Sequence, residues 1–375
     1  MRRGAATGRN ALPVSSVIVT DEAPRWPTGA ATGIGSLPYE DVDEACRVVV
    51  GELPQIPHLP ELPGRGPGAD MVGRGAALLV DLHADLQPAG WRLVERPGRD
   101  EARAAALLRQ DVDAFELAAH GWTGLLKLQV VGPLTLAAAL DRSRGGRTVG
   151  DPGARRDVAQ SLAEGVAAHL ADVARRLPGA RLVLQLDEPA LPGVLSGSLP
   201  TASGLGRLPA VDPAEARGLL AEVLVVARRG GATTVVHCCA DLVPVDLLSG
   251  SGADAVSLDV RRLADPDLDG LAAAVDAGLG LWAGVVPALP ERGVPGPGDT
   301  ELGERVLALW RRLDQPVEAA PGRVVVTPAC GLAGASPAWA RRAYSLARGA
   351  ADVIVDPGRS SAARKLSGAD GRMSP

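Results

Sequence analysis

Aromatic residues and long apolar runs are both scarce in this chain. Phe, Trp and Tyr make up 2 % of its 375 residues, so Ala, Val and Leu must fill any core. No apolar run approaches the roughly 18 residues of a membrane span. No basic stripe with interleaved aromatic residues indicates nucleic-acid binding. These absences argue against membrane and nucleic-acid partners and favour small-molecule substrates.

Cysteine is also rare, with four residues at positions 46, 238, 239 and 330. They are too few and too scattered for a disulfide framework, which favours a reducing compartment where cysteine serves metal binding or catalysis. The first 24 residues contain only a short, weak apolar patch, so a secretory signal is not expected. We therefore predict a cytoplasmic protein.

The length suits either two or three domains or one large α/β barrel. Apolar residues make up 46 % of the chain, enough for a large core. No linker or change of composition divides the middle of the sequence. We expect a flexible leader over residues 1–28, one catalytic domain over 29–356 and a flexible tail over 357–375.

Short apolar runs alternate with helical stretches along the whole middle of the chain. Most runs lack polar alternation, which is typical of parallel strands buried on both faces. Between them, residues 212–230 have Asp212 as a predicted helix N-cap, Pro213 in the first turn and Gly230 past the end. The eight strand candidates are 31–36, 54–61, 125–132, 181–188, 233–239, 254–260, 280–286 and 323–330.

Eight strands alternating with helices predict an α/β fold of the single (β/α)8 barrel type, with a doubly wound open sheet as the alternative. The second candidate is the weakest because prolines interrupt it. Long connections near residues 61–124 and 187–212 follow strands, and such βα loops commonly build the site of a barrel.

A histidine and two cysteines end the fifth strand in the stretch TTVVHCC. Side chains alternate along a strand, so His237 and Cys239 point the same way and Cys238 points oppositely. The sixth and eighth strands end near Asp259 and Cys330. These four residues, His237, Cys239, Asp259 and Cys330, form a predicted metal site, and mixed nitrogen and sulfur ligands favour Zn²⁺. For Cys238, as for Cys46, we expect simple packing.

Two adjacent acids end the fourth strand in LQLDEPAL. Buried charges require a cation, water or a pocket, so Asp187 is a candidate for binding a substrate ammonium. The alternative is that Asp187 or Glu188 caps a helix that begins near Pro189.

The first strand ends in ATGIGSLP. Free backbone N–H groups around Gly33 and Gly35, with the Ser36 hydroxyl, can hold a carboxylate or a phosphate. The motif does not complete the glycine pattern of dinucleotide-binding proteins.

Together these stretches resemble the catalytic domain of cobalamin-independent methionine synthases, in particular the short single-barrel forms. The shared motifs run in family order from residue 31 to about 356. They are IGS at 34–36, GPLT at 132–135, QLDEPAL at 185–191, HCC at 237–239 and PACGL at 328–332.

The resemblance implies a (β/α)8 barrel that uses Zn²⁺ to methylate the thiol of homocysteine, with methyltetrahydrofolate as the default methyl donor. The family's zinc ligands map onto His237, Cys239 and Cys330. Its glutamate ligand falls on Asp259, a shorter side chain. The homocysteine carboxylate site maps onto Ile34, Gly35 and Ser36.

The amine of homocysteine maps onto Asp187, and a further family carboxylate onto Glu61. The chain departs from the long enzymes after the seventh strand, where AGVVPALPERG contains no counterpart of their catalytic histidine. The folate-binding half-barrel of those enzymes is also missing, which leaves a corrinoid protein or another methyl donor open.

Two other classes fit the same sequence features. One is a related barrel enzyme, either uroporphyrinogen-decarboxylase-like or a corrinoid-dependent thiol methyltransferase. The other is a non-catalytic zinc-binding barrel in which Asp259 would close a structural site with four protein ligands.

Overall fold

A curled parallel sheet forms the centre of the molecule. The computed structural model describes residues 25–201, 203–291, 293 and 296–357. Six parallel strands follow one another in chain order across the sheet. They are β3 (Leu125–Val131), β4 (Arg181–Asp187), β5 (Thr233–Cys238), β6 (Ala255–Asp259), β7 (Gly280–Val286) and β8 (Val324–Pro328).

Two irregular segments complete the barrel between β8 and β3. Ala31 bridges Val326 of β8 in parallel, and Ser36 bridges Glu61. His58 bridges Lys127 of β3, and backbone hydrogen bonds flank this bridge on both sides. Prolines at 54, 57 and 60 remove backbone donors, which explains why residues 54–61 form bridges and not a regular strand. The predicted α/β barrel is thus confirmed.

An apolar plug closes the floor of the barrel. It contains one buried residue from each of the eight strands or segments, together with Trp26. Trp26 meets Trp282 edge to face with ring centroids 5.2 Å apart. The strand members are Ala30, Ile56, Leu125, Val183, Val235, Ala255, Trp282 and Val325.

A buried and mostly polar layer lies above the plug. Side chains two residues further along a strand point to the same side, so this layer also faces the interior. An apolar floor beneath a polar layer leaves the carboxyl ends of the strands as the reactive rim of the barrel. The layer contains Thr32, His58, Lys127, Gln185, His237, Ser257, Gly284 and Thr327.

Helices surround the barrel and bury the outer faces of the strands in a second, larger core. The predicted helix over 212–230 is confirmed as Pro213–Arg229, because the Asp212 side chain accepts from the N–H groups of Ala214 and Glu215. The helices are α1 (Val42–Glu52), α2 (Met71–Ala76), α3 (Arg99–Ala118), α4 (Pro133–Ala139), α5 (Pro152–Arg176), α6 (Leu191–Ser196), α7 (Pro213–Arg229), α8 (Val245–Gly250), α9 (Asp265–Asp276), α10 (Asp299–Arg312), α11 (Ala320–Arg323) and α12 (Pro337–Val355).

The long connection after the second segment contains α2, an antiparallel hairpin and α3. The hairpin strands are β1 (His83–Gln87) and β2 (Gly90–Val94), which the sequence analysis did not predict. Among the helices of the described ranges, none combines the length and the apolarity needed to cross a membrane.

The folded part starts before residue 29. Trp26 is 1 % exposed in the plug, and Arg25 forms an ion pair with Asp254. The remainder of the predicted leader, residues 1–24, and the predicted tail from 358 lie outside the described residues.

Candidate metal centre

Three of the four predicted metal ligands meet at the rim of the barrel. His237 stands near the end of β5, Cys239 directly follows it, and Cys330 follows β8. Their ligand atoms all lie within 4.8 Å of one another, and the two sulfurs are 3.0 Å apart. Residues 91 positions apart in the sequence therefore share one small volume.

The His237 ring has one nitrogen held and one nitrogen free. Its Nδ1 lies 3.0 Å from Ser257 Oγ on β6, and these two residues are register partners. Within the described part of the chain, the buried Nε2 has no hydrogen-bond partner. A buried polar atom without a partner is costly. A metal ion at Nε2 removes that cost, so the residues present fit a bound cation.

The two rim cysteines have opposite protonation tendencies. A hydrogen bond from Cys239, helped by the nearby His237, lowers the pKa of Cys330 to about 4. Donating that bond raises the pKa of Cys239 above its usual value, and burial raises it further. One thiolate beside one thiol and one imidazole is a donor set that suits zinc or another thiophilic metal.

The other two cysteines pack in the core. Cys238 and Cys46 are both fully buried among apolar side chains. Burial raises the pKa of Cys238 to about 11 and that of Cys46 to about 12. Both are protonated, inert thiols, in agreement with the packing role expected from the sequence.

Asp259, the predicted fourth ligand, is not brought to this group. One of its carboxylate oxygens accepts from the Arg261 backbone N–H at 3.0 Å and from Arg261 Nε at 3.1 Å. The other oxygen lies 3.0 Å from Arg261 Nη2 and 3.4 Å from Arg262 Nε. Two arginines, two and three residues further along the sequence, therefore hold this carboxylate, and the described residues supply three ligand atoms at the centre.

The turn at residues 34–36 lies against the loop that contains Cys330. The Leu332 N–H donates to Ser36 O at 2.8 Å. A side chain at Gly331 would place its Cβ 2.0 Å from Ser36 Oγ, so the Ser36 hydroxyl would have to move to admit one. Ser36, which is partly buried, thus lies beside Gly331, the residue that follows Cys330.

Asp187 lies on the adjoining strand, in register with His237. Burial raises its pKa to about 7, and the charge of Glu61 adds to this effect while His237 opposes it. Its Oδ1 accepts a 2.7 Å hydrogen bond from Gln185 Nε2. Asp187 is therefore a buried acid whose charge an incoming cation would stabilise.

Glu61 ends the second barrel segment and is also buried. Burial raises its pKa, although Arg74, whose Nε lies 3.5 Å away, opposes the effect. Arg74 in turn contacts the fully buried Asp111 at 2.5 Å. An ion-pair network of Arg74 and Asp111 thus contacts the carboxylate of Glu61.

Glu188 has a structural task that links two of the sequence motifs. Its carboxylate accepts from the N–H groups of Leu134 and Thr135 and from the Thr135 hydroxyl, at 2.7 to 2.9 Å. It therefore caps α4, the helix that starts in GPLT, and not a helix of its own. The helix that follows Glu188 in the chain is α6. Its N-cap position is Ala190, which has no side-chain cap, so neither Asp187 nor Glu188 caps it.

Sequence reasoning missed three buried polar residues around the site, namely Lys127, Gln185 and Ser257. Lys127 donates to the Ile34 carbonyl at 2.7 Å and to Gln129 Oε1 at 3.1 Å. Burial lowers the pKa of Lys127 to about 7. A lysine inside the apolar run LLKLQVVG was the available signal, since lysine is almost never fully buried without a reason.

Comparison with known proteins identifies a family and a similar fold. The family model described as "Cobalamin-independent synthase, Catalytic domain" matches residues 27–353. The fold is similar to that of a B12-independent methionine synthase from Shewanella sp. W3-18-1, solved in complex with selenomethionine. The identity is 12 % and the TM-score 0.57, with 88 % of this chain and 98 % of that chain covered.

A second similar structure is the GH20 β-N-acetylhexosaminidase of Streptomyces coelicolor A3(2). It is 17 % identical with a TM-score of 0.44, covering 87 % of this chain and 65 % of that chain. No match was found among curated proteins. At 12 % identity, the likeness to the methionine synthase structure shows a shared fold alone. The family model, however, spans most of the sequence, and the chain therefore belongs to the family of cobalamin-independent synthase catalytic domains.

Proposed function

We propose that the protein is a zinc-dependent methyltransferase that moves a methyl group to the thiol of homocysteine and forms methionine. The observation that carries the proposal is the convergence of the ligand atoms of His237, Cys239 and Cys330, all within 4.8 Å of one another, at the barrel rim. The same rim holds a turn and two acids suited to the two ends of an α-amino acid.

The donor set supports zinc in a catalytic setting. Structural zinc sites use four protein ligands, whereas catalytic sites use three and keep one position for water or substrate. His237, Cys239 and Cys330 are the three that would hold it, while Asp259 is engaged by Arg261 and Arg262. When bound, zinc would supply the positive charge that keeps a thiol ionised at neutral pH.

The residues around the centre would orient the substrate. Ser36 and the Gly35 peptide would bind the carboxylate, beside Cys330. Asp187 and Glu61, both buried acids, would bind the ammonium group from the other side. Fixing both charged ends leaves the side chain one direction to extend, which places the thiol near the centre and supplies part of the rate through proximity.

Methyltetrahydrofolate is the proposed methyl donor. The family is described as cobalamin-independent, so the comparison gives no support to a corrinoid protein as donor. A folate leaving group needs a proton. All five histidines lie at or before residue 237 in the sequence, so none follows β7 where the long enzymes have theirs. The proton must therefore come from another group.

Metal analysis and a methylation assay test the proposal together. The purified protein should contain zinc and should methylate homocysteine when methyltetrahydrofolate is supplied. Cys239→Ser should lose both the metal and the activity. The matched control is Cys238→Ala, which removes the neighbouring thiol that faces the core and should retain zinc.

Two results would reject the scheme. The first is full activity in Cys239→Ser after its metal content is shown to be absent. The second is a zinc X-ray absorption edge that homocysteine does not change, because a closed structural site has no position for the substrate sulfur.

A further inference from the structure

The most unusual residue of the barrel interior is a lysine. Lys127 is fully buried in the polar layer above the plug. Among the described residues no carboxylate comes within the 4.0 Å of an ion pair with its ammonium group, which bonds instead to the Ile34 carbonyl and to Gln129. Burying such a group is expensive, and a hydrophobic residue at this place would normally be more stable. The presence of Lys127 at this place therefore indicates a functional role.

The Ile34 carbonyl is held by two interior donors. Lys127 Nζ donates to it at 2.7 Å from β3, and Gln185 Nε2 donates to it at 2.9 Å from β4. Gln185 Nε2 also donates to Asp187 Oδ1. Both acceptors require an N–H donor, which assigns the orientation of the Gln185 amide. One connected network thus reaches both the turn at 34–36 and the acid at 187.

This network controls which way the turn faces. In a trans peptide the carbonyl of one residue and the N–H of the next point in opposite directions. Holding the Ile34 carbonyl toward Lys127 and Gln185 therefore directs the Gly35 N–H away from them. Gly35 also lies so close to Gln129 that a Cβ would approach Gln129 Cγ to 2.7 Å. Side chains of the barrel interior, Lys127, Gln129 and Gln185, therefore hold the turn in place.

We propose that Lys127 is a positioning residue, which holds the turn at 34–36 in the orientation that binds the carboxylate of the amino-acid substrate. This inference rests on the proposed function. Lys127 acts through the Ile34 carbonyl and does not touch the substrate. Its loss should weaken recognition of the carboxylate selectively and leave the metal centre intact.

The test compares two thiols with the variant Lys127→Met, which keeps most of the length of the side chain and removes the donor. The thiols are homocysteine and 3-mercaptopropylamine, its decarboxylated analogue, with binding measured by calorimetry on the zinc-loaded protein. Affinity for homocysteine should fall roughly tenfold to a hundredfold, the range for losing hydrogen bonds that involve charged groups. Affinity for the analogue should be unchanged or higher. The variant removes the positive charge of Lys127, which acts on Asp187 and Glu61 and so opposes the binding of an ammonium group there.

Thr327→Val is the matched control. It changes another buried residue of the same layer, whose hydroxyl has no partner within the described residues. Its ratio of affinities for the two thiols should equal that of the wild type. Zinc content and melting temperature of each variant show whether the centre and the fold survive. If Lys127→Met does not fold, Lys127→Leu, which also lacks a donor, takes its place, with the same selective loss expected.

Equal loss of affinity for both thiols would overturn the inference, because it would show a general structural role. An unchanged affinity for homocysteine would overturn it as well. Failure of the proposed function is recognised separately, since in that case the zinc-loaded wild-type protein would itself show no preference for homocysteine over the analogue.

Discussion

The contact between Ser257 and His237 leads to a quantitative prediction for metal binding. Ser257 Oγ is 3.0 Å from His237 Nδ1 and is the one hydrogen-bond partner that the structure gives to this ring, because Nε2 has none within the described residues. Only the tautomer with its hydrogen on Nδ1 presents a free electron pair at Nε2. In that tautomer Ser257 Oγ accepts the Nδ1–H bond and holds the ring in place.

Ser257→Ala should therefore weaken zinc binding without removing any ligand. Loss of the partner that orients a metal-binding histidine typically lowers affinity by about tenfold to a hundredfold. This range corresponds to about 1.4 to 2.7 kcal/mol at 25 °C. The burial of both residues favours the upper part of the range, since little water can replace the hydroxyl.

Competition with a chromophoric chelator at pH 7.5 measures this change. Ser251→Ala is the control, because Ser251 is also buried but bonds to the Leu248 carbonyl at the end of α8. Ser257→Thr, which keeps the hydroxyl, should recover most of the affinity. Equal zinc affinity in Ser257→Ala and the wild type, or an equal loss in Ser251→Ala, would refute the role of Ser257.

Three further predictions follow. Asp259→Ala should keep its zinc, since the carboxylate is bound by Arg261 and Arg262; loss of metal in the chelator assay would restore Asp259 as a ligand. Glu188→Ala should lower the free energy of unfolding by about 2–4 kcal/mol in urea titrations, because two buried N–H groups of α4 lose their acceptor; a change no larger than that of the exposed Glu164→Ala would contradict this. Burial lowers the pKa of His169 to about 4, so only the unfolded chain gains its proton as the pH falls from 7.5 to 5. His169 should thus reduce stability at pH 5 by about 2 kcal/mol. His169→Gln should lack this part of the pH dependence, and identical pH profiles would disprove the assignment.

The rim of the barrel was predictable from the sequence because most strands are continuous apolar runs and several of them end at polar residues. Such a run identifies the carboxyl end of a buried parallel strand, and these ends meet at one edge. His237, Cys239 and Cys330 were therefore correctly expected to converge. The direction of the Asp259 side chain was not predictable in this way, although the two arginines that follow it were a local sign of an ion pair.

The hairpin of β1 and β2 and the polar interior were harder to predict. The hairpin sequence HADLQPAGWRLV has a turn signal at its centre, but its length and polarity resemble a loop. The contacts of Lys127 depend on a carbonyl 93 residues away in the sequence. No periodicity within β3 shows which group of another strand will face a given side chain, so pairing of this kind needs the closed barrel.

Some polar atoms in the barrel interior have hydrogen-bond partners and others have none, and their positions bear on the function of the barrel. Lys127, Gln129 and Asp187 each have internal partners, although replacing them with apolar residues would stabilise a simple core. The interior atoms left without a partner in the described chain include Gln185 Oε1 on β4 and His237 Nε2 on β5. These two strands are neighbours and carry the predicted ammonium and metal sites at their ends. A cationic group beside Gln185 and a metal ion at His237 would complete these two atoms, whereas Thr327 Oγ1 and Trp282 Nε1 are unpaired elsewhere in the described barrel.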